Sequence, residues 1–265
     1  MTEDSAGDIE LLFGSLRGKT ALVTGSTQGL GRTIAEQLGM RGVTVVVSGR
    51  QQTAVDESIG AIRACGGDAL GFPADLQTPA AAHELARTAL PAIGKLDILV
   101  NNAGMSLRGN FWDVTDAEWD EQVNVNFRAP FILAQYAARN MIEHGTRGRI
   151  VNISTIGARK CHTDGCVYDS AKGGVEVMTR NMAYELGPYG ISVNCVAPGA
   201  IPIKPGTTFD PASHLDVLRN VPYRRFGTSD DIAAAVLFFC APESGFTTGQ
   251  SLLVDGGHAM HRLVL

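Results

Sequence analysis

A glycine-rich turn joins a short apolar segment to a segment with helical periodicity near the start of this chain. Residues 19–24 (KTALVT) read as a buried strand, and helical periodicity runs over 32–40. Glycines at such a turn let backbone approach a phosphate, and a helix N-terminus adds free N–H groups and a positive dipole. The turn therefore predicts a dinucleotide phosphate site, with an empty glycine turn as the alternative. Its residues are Gly25, Ser26, Thr27, Gln28, Gly29, Leu30 and Gly31.

Strand and helix signals then alternate along the chain, which predicts an α/β fold with a doubly wound parallel sheet. No internal repeat or linker separates two cores, so residues 17–265 are predicted to form one domain. The polar, acidic residues 1–16 are expected to form a loose arm. The predicted strands are 19–24, 43–47, 68–73, 96–100, 149–153, 191–196 and 251–254, and the predicted helices are 32–40, 52–64, 79–92, 115–145, 167–186 and 231–240, the last capped by Asp230 and Asp231.

Arg50 follows the strand 43–47, at the place where an NAD-binding chain of this kind carries an acid for the ribose 2′-hydroxyl. The first acid downstream is Asp56. A guanidinium can instead bind a 2′-phosphate through charge-assisted hydrogen bonds. The position therefore favours NADP and leaves NAD possible; an exposed, solvated Arg50 is the alternative.

Polar and small residues gather after other predicted strands. Because the carboxyl ends of parallel strands meet at one edge of the sheet, these residues are expected to line one ligand cleft. They are Asp75 and Leu76; Asn102, Ala103 and Gly104; Ser154 and Thr155; and Pro198, Gly199 and Ile201.

Tyr168 and Lys172 are four residues apart at the head of a helical segment. This spacing places the phenol and the ammonium on one helix face. A nearby cation favours the phenolate, so we expect Lys172 to lower the pKa of Tyr168. Tyr168 could then exchange a proton with a carbonyl or carbinol oxygen. A solvated helix surface is the alternative for a pair of this kind.

The amino-acid composition limits the classes of partner that the protein is expected to bind. The chain has 265 residues, 45% of them hydrophobic, and a formal charge of −5 without a basic run, which argues against nucleic acid or an anionic membrane as main partner. No apolar run reaches the length of a bilayer span, and no secretion signal is evident, so a cytoplasmic protein is expected. The five scattered cysteines suit reduced thiols. A zinc site at Cys161, His162 and Cys166 lacks a second ligand cluster, so no metal is predicted.

The segment 202–227 contains several prolines and interrupts the alternation of strand and helix signals. It is a candidate substrate lid, or else a plain surface loop. Lys204 lies in it, and three further cations precede Tyr168: Arg159, Lys160 and His162. These cations would suit an anionic substrate, or they are solvated surface.

Taken together, the motifs resemble those of the short-chain dehydrogenase/reductase family over about residues 17–260. They are Thr24-Gly25-x-x-x-Gly29-x-Gly31, Asn101-Asn102-Ala103-Gly104, Asn126, Tyr168-x-x-x-Lys172, Pro198-Gly199 and Asp255-Gly256-Gly257. The resemblance implies a Rossmann-type sheet of about seven parallel strands, hydride transfer between NAD(P) and a secondary alcohol or ketone, and commonly a homotetramer. Within the family, the chain is similar to gluconate 5-dehydrogenase-like, glucose dehydrogenase-like and 3-oxoacyl carrier-protein reductase-like members. This similarity implies a sugar, sugar acid or 3-oxoacyl-type substrate.

The resemblance also implies residue roles. Tyr168 would be the acid/base, Lys172 would lower its pKa and hold the nicotinamide ribose, and Asn126 would anchor a water in a proton relay. The catalytic hydroxyl stays open: the strand and the distance to Tyr168 point to Thr155, whereas Gly157 points to Ser154.

The resemblance has one departure: Ile203 stands where many relatives have a threonine that touches the cofactor phosphates.

The alternative to an enzyme is an inactive nucleotide-binding or regulatory protein on the same fold. The intact Tyr168, Lys172 and Asn126 argue against this alternative.

Overall fold

The computed structural model describes residues 14–201 and 215–260, which form a seven-stranded sheet with every strand parallel to its neighbours. The predicted Rossmann-type α/β fold is confirmed. In space the strands run β3-β2-β1-β4-β5-β6-β7, so the order reverses between β1 and β4. Their bounds are β1 Thr20–Val23, β2 Thr44–Val47, β3 Asp68–Gly71, β4 Ile98–Asn101, β5 Arg149–Ile153, β6 Ser192–Pro198 and β7 Ser251–Val254.

Helices connect the strands and cover both faces of the sheet. Among the described residues, no helix has both the length and the apolar content needed to cross a membrane. The α-helices are α1 Gly29–Met40, α2 Gln52–Ala64, α3 Pro79–Ile93, α4 Asp116–Val123, α5 Ala129–Glu143, α6 Cys166–Leu186, α7 Leu215–Asn220 and α8 Ser229–Cys240.

Successive residues of the central strands enter opposite hydrophobic cores. In β1, Ala21 and Val23 pack in the core that includes residues of α1 and α8, whereas Leu22 packs in the core that includes residues of α3 and α5. Both faces of the sheet are therefore dry, which is why the strands read as continuous apolar runs.

The helix predicted over 115–145 is divided. Thr115 and Glu118 form a capping box that starts α4, and the turn Asn124–Arg128 between α4 and α5 is π-helical. Such turns insert one extra residue and often occur at functional sites. Here the π-helical turn contains Asn126, which is fully buried.

Two predicted boundaries are wrong. Helix α8 is capped by Thr228, whose hydroxyl accepts from Asp231 N, while the Asp231 carboxylate accepts from Thr228 N. The cap was predicted at Asp230 and Asp231 because acids also favour a first helical turn. The predicted arm reaches too far, since Leu16 is fully buried in the core.

Residues 1–13 of that arm lie outside the described residues, as do residues 202–214 of the candidate lid with Ile203 and Lys204. The described remainder of the lid segment contains α7.

Candidate active site

A cleft of about 560 Å³ opens at the carboxyl ends of the strands and includes the β1 and β4 ends, where the strand order reverses. This is where open α/β sheets bind their ligands. Most of the predicted site residues line it: Gly25, Thr27, Gln28, Gly29, Leu30, Gly31, Arg50, Asp75, Leu76, Asn102, Ala103, Gly104, Ser154, Thr155, Tyr168, Lys172, Pro198, Gly199 and Ile201.

Two glycine positions in the turn after β1, Gly25 and Gly31, have no room for a side chain. Gly25 has φ +62°, and a Cβ there would lie 2.9 Å from Ala103 Cα. A Cβ on Gly31 would collide with Gly25 O and Asn102 Nδ2. The backbone is thus bare at the start of α1, where Gln28 supplies no side-chain cap to the first N–H groups. Uncapped N–H groups that line a cleft fit the pyrophosphate of a dinucleotide.

Thr24 and Asn102 fasten this turn to the end of β4. The Thr24 hydroxyl accepts from Asn102 N and Ala103 N, each at 3.0 Å, and Asn102 Nδ2 donates to Thr24 O at 2.9 Å. The Asn102 side chain therefore shapes the turn as well as lining the cleft.

Ser26 was predicted to belong to the cofactor-binding residues, but the structure places it elsewhere. Within the described part of the chain, the cleft wall does not include it, and its side chain is fully buried. Its hydroxyl donates to Val23 O at 2.7 Å and accepts from Ser48 N at 3.0 Å. Ser26 thus ties the end of β1 to the end of β2.

Arg50 is exposed and lines the cleft beside Ser48 and Gly49. Over residues 14–201 and 215–260, no carboxylate forms an ion pair with it. Its guanidinium is available to an anionic group of a ligand in the cleft.

Lys172 projects from α6 into the base of the cleft and is 2% exposed. Its ammonium donates to Ile153 O at 2.8 Å and lies 6.0 Å from the centre of the Tyr168 ring. Burial in a poorly solvated site lowers the pKa of Lys172 to about 8.

The expectation that Lys172 lowers the pKa of Tyr168 is wrong. Burial, and secondarily the Asp169 carboxylate, raise the pKa of Tyr168. Arg108 and a hydrogen bond with Thr155 act in the opposite direction and do not outweigh them. The reason is geometric, since the Lys172 ammonium is directed at a backbone carbonyl.

The two candidate hydroxyls have different partners. Ser154 Oγ donates to Lys172 O at 3.1 Å. Thr155 Oγ1 accepts from Gly157 N at 3.3 Å, which leaves its proton free to donate, and the Thr155 side chain is close enough to Tyr168 to act against the rise of its pKa. Gly157 is needed in this turn because a Cβ there would collide with Asp169 and His162. The geometry therefore favours Thr155.

Asn126 lies behind the cleft wall. Its Oδ1 accepts from Met105 N at 3.1 Å, and its Nδ2 donates to Met105 O and to Gln122 O. Both amide protons are used, so the side chain fixes the loop after β4. The water-anchoring role implied by the resemblance stays a prediction.

A buried amide chain, which sequence reasoning missed, positions α6. Asn101 Nδ2 donates to Asn152 Oδ1, and Asn152 Nδ2 donates to Thr179 Oγ1, each at 2.9 Å. These bonds link β4 and β5 to the helix that carries Tyr168. Asparagines inside otherwise apolar strands were the available signal, because a buried amide needs a partner.

Three of the cations considered for an anionic substrate, Arg159, Lys160 and His162, contact other groups of the protein. Arg159 pairs with Glu176 at 3.3 Å, and Lys160 Nζ donates to His258 O at 2.8 Å. His162 Nδ1 lies 2.8 Å from Asp169 Oδ1. Within the described ranges, none of the three lines the cleft.

The described residues contain no group of three or more histidines, cysteines or carboxylates that could hold a metal. All five cysteines are free thiols, with Cys65, Cys161 and Cys166 exposed and Cys195 and Cys240 buried.

Comparison with known proteins agrees with this geometry. A family model described as enoyl-(acyl carrier protein) reductase matches residues 25–259. The chain is 37% identical over 248 residues to the (2S)-[(R)-hydroxy(phenyl)methyl]succinyl-CoA dehydrogenase subunit BbsD of Thauera aromatica, covering 92% of this chain and 98% of that protein. It is 36% identical over 244 residues to the L-xylulose reductase of Mus musculus, covering 91% and 97%.

Among solved structures, a proposed NAD(P)-dependent gluconate 5-dehydrogenase from Beutenbergia cavernae, with NADP bound at low occupancy, superposes with a TM-score of 0.85. Its sequence identity to this chain is 32%, and the match covers 93% of this chain and 98% of that one. The glycine turn, the strand-end residues and the Tyr168–Lys172 pair thus meet in a fold shared with these proteins, and the chain belongs to the short-chain dehydrogenase/reductase family.

Proposed function

We propose that this protein is an NAD(P)-dependent oxidoreductase that interconverts a secondary alcohol and a ketone. One observation carries this proposal: Tyr168, Thr155 and Lys172 line the same cleft as the bare glycine turn. A nicotinamide dinucleotide bound there supplies the hydride acceptor or donor. The family membership and the alcohol and ketone chemistry of the named relatives support it.

The residues of this chain would handle the proton and the developing charge. Tyr168 would donate a proton to the carbonyl oxygen, or take one from the carbinol, at its Oη. The Thr155 hydroxyl would donate to the same substrate oxygen as it gains charge. Lys172 would hold positive charge beneath this point, and residues 25–31 would bind the phosphates through backbone N–H groups.

The two hydroxyls can be separated by mutation. We expect Thr155→Val to lower kcat/KM about 100- to 1000-fold, because the donor to the substrate oxygen is lost while the side-chain shape is kept. Ser154→Ala should cost less than about tenfold, since Ser154 Oγ already donates to Lys172 O. Steady-state kinetics with one ketone measures both variants; a larger loss in Ser154→Ala would reverse the assignment.

We further propose that NADP is the preferred cofactor, because Arg50 lies at the cleft wall without an ion pair to any described residue and a related structure holds NADP. Arg50→Gln should lower the ratio of kcat/KM for NADPH to that for NADH about 10- to 100-fold, the loss of one charge-assisted contact. Arg63→Gln is the control, because Arg63 lies at the end of α2 and donates to Ala69 O. An unchanged cofactor ratio in Arg50→Gln would refute the assignment.

The substrate class follows from the relatives rather than from one residue. An L-xylulose reductase and a proposed gluconate dehydrogenase are among the similar proteins, and they support a sugar or sugar-acid substrate. An inactive nucleotide-binding protein remains the rival, and consumption of NADPH with a panel of sugar ketones distinguishes the two. Self-association and a cytoplasmic location stay predictions; a measured molar mass tests the first.

A further inference from the structure

Arg108 stands next to the reacting phenol. It lies on the loop that follows β4, and its guanidinium carbon is 5.9 Å from the centre of the Tyr168 ring. Two hydrogen bonds fasten this loop to the segment before α6: Arg108 Nη1 donates to Thr163 O at 3.2 Å, and Gly109 N donates to Asp164 O at 3.1 Å. The cation is therefore positioned by backbone groups.

The charge of Arg108 has no partner of opposite sign in contact with it among the described residues. The nearby carboxylate of Asp169 is occupied: Oδ1 lies 2.8 Å from His162 Nδ1, and Oδ2 accepts from His162 N at 2.8 Å. Only one of the five guanidinium N–H donors of Arg108 is used within the described chain. The remaining donors are free to bind a ligand.

The local backbone makes room for this arginine. A Cβ on Gly165 would lie 2.5 Å from Arg108 Nη1. Arg159, Lys160 and His162, for which an anionic substrate was one of two interpretations, are by contrast held by other groups, as in the Arg159–Glu176 pair. Among the described cations of this region, Arg108 combines closeness to Tyr168 with unused donors, and its side chain is exposed outside the cleft wall.

We propose that Arg108 binds a carboxylate of the substrate, so that the preferred substrates are hydroxy acids and the corresponding keto acids. This inference rests on the proposed function, because it places the carboxylate relative to an alcohol or ketone carbon that reacts at Tyr168. A guanidinium presents a planar pair of N–H donors that matches the two oxygens of a carboxylate. The carboxylate itself takes no part in the reaction.

The test compares pairs of alcohols that differ only at one terminal carbon: D-gluconate with D-glucitol, and 3-hydroxybutyrate with 1,3-butanediol. For each pair that is turned over, we expect the wild-type enzyme to prefer the acid to the neutral alcohol by at least about tenfold in kcat/KM. Arg108→Gln should lose about 10- to 100-fold on the acid and less than about threefold on the neutral alcohol. Arg108→Lys should fall between the two, since it keeps the charge and loses the fork.

Arg159→Gln is the matched control, because Arg159 lies in the same region and is held by Glu176 and Ser251 O, away from the Tyr168 ring. It should leave the ratio of acid to neutral substrate unchanged. Equal losses on both members of a pair in Arg108→Gln would overturn the proposal and make Arg108 a positioning residue for Tyr168. A wild-type enzyme that prefers the neutral alcohols would overturn it as well.

Binding separates this inference from the proposed function. Tyr168→Phe, saturated with NADP+, should bind gluconate or 3-hydroxybutyrate in calorimetry, because its turnover of these hydroxy acids is lost. Adding Arg108→Gln should weaken that binding about tenfold or more. If neither acid binds Tyr168→Phe, the carboxylate site is refuted. If both acids bind through Arg108 and the wild-type enzyme turns over no alcohol, the proposed function fails while the carboxylate site stands.

Discussion

Tyr168→Phe is expected to lower kcat/KM about 1000-fold or more while NADPH binds within about threefold of the wild-type affinity. The change removes one hydroxyl, the group that exchanges a proton with the substrate oxygen, and positioned acid/base groups contribute about 100- to 10,000-fold. The ring keeps its place on α6, so the cleft keeps its shape. Initial rates of NADPH oxidation with a ketone substrate, together with fluorescence titration of NADPH, measure the two effects separately.

Tyr184→Phe is the matched control, because Tyr184 lies on the same helix and is 88% exposed. We expect it to keep wild-type rates. Turnover within tenfold of wild type in Tyr168→Phe would remove Tyr168 from the chemistry and leave only the fold assignment in place.

Lys172→Met should lower kcat/KM about 100-fold or more and, at the same time, change how stability depends on pH. Burial lowers the pKa of Lys172 from 10.5 to about 8. Between these pH values the unfolded chain holds the proton and the folded chain has lost it, so the free energy of unfolding rises with pH. Relative to Lys172→Met, the wild-type protein should gain about 3 kcal/mol between pH 8 and pH 10.5.

Below about pH 8 the difference between the two proteins should be constant, since both the folded and the unfolded wild-type chain then carry the ammonium. Urea unfolding at several pH values measures it, and the variant cancels the contribution of every other titrating group. Lys95→Met serves as control, because Lys95 is half exposed and pairs with Asp97 next to the start of β4, at the opposite end of the sheet from the site. A difference that stays flat up to pH 10.5 would contradict a Lys172 whose pKa is lowered by burial.

The fold was predictable because its signals are local. In a parallel sheet covered on both faces, every strand is an apolar run bounded by turns, and helices between strands follow from the alternation. The glycine turn and the strand-end residues were predictable for the same reason, as their positions follow from where a strand stops.

The π-helical turn at Asn124–Arg128 was not predictable, because a single extra residue in a long helix barely disturbs its hydrophobic period. The direction of the Tyr168 pKa shift depends on burial, which the spacing of Tyr168 and Lys172 does not report. Arg108 was missed for a topological reason. It reaches Tyr168 from the loop after β4, and no local pattern connects two residues 60 positions apart.

Hydride transfer from the cofactor to the substrate can be followed with an isotopic label. NADPH that carries deuterium at the transferable C4 position is incubated with a ketone substrate and either the wild-type enzyme or Tyr168→Phe, and the alcohol is examined by mass spectrometry. We expect deuterium on the carbinol carbon with the wild-type enzyme and only a trace of alcohol with the variant. Alcohol without deuterium, or labelled alcohol formed at the wild-type rate by Tyr168→Phe, would contradict this expectation.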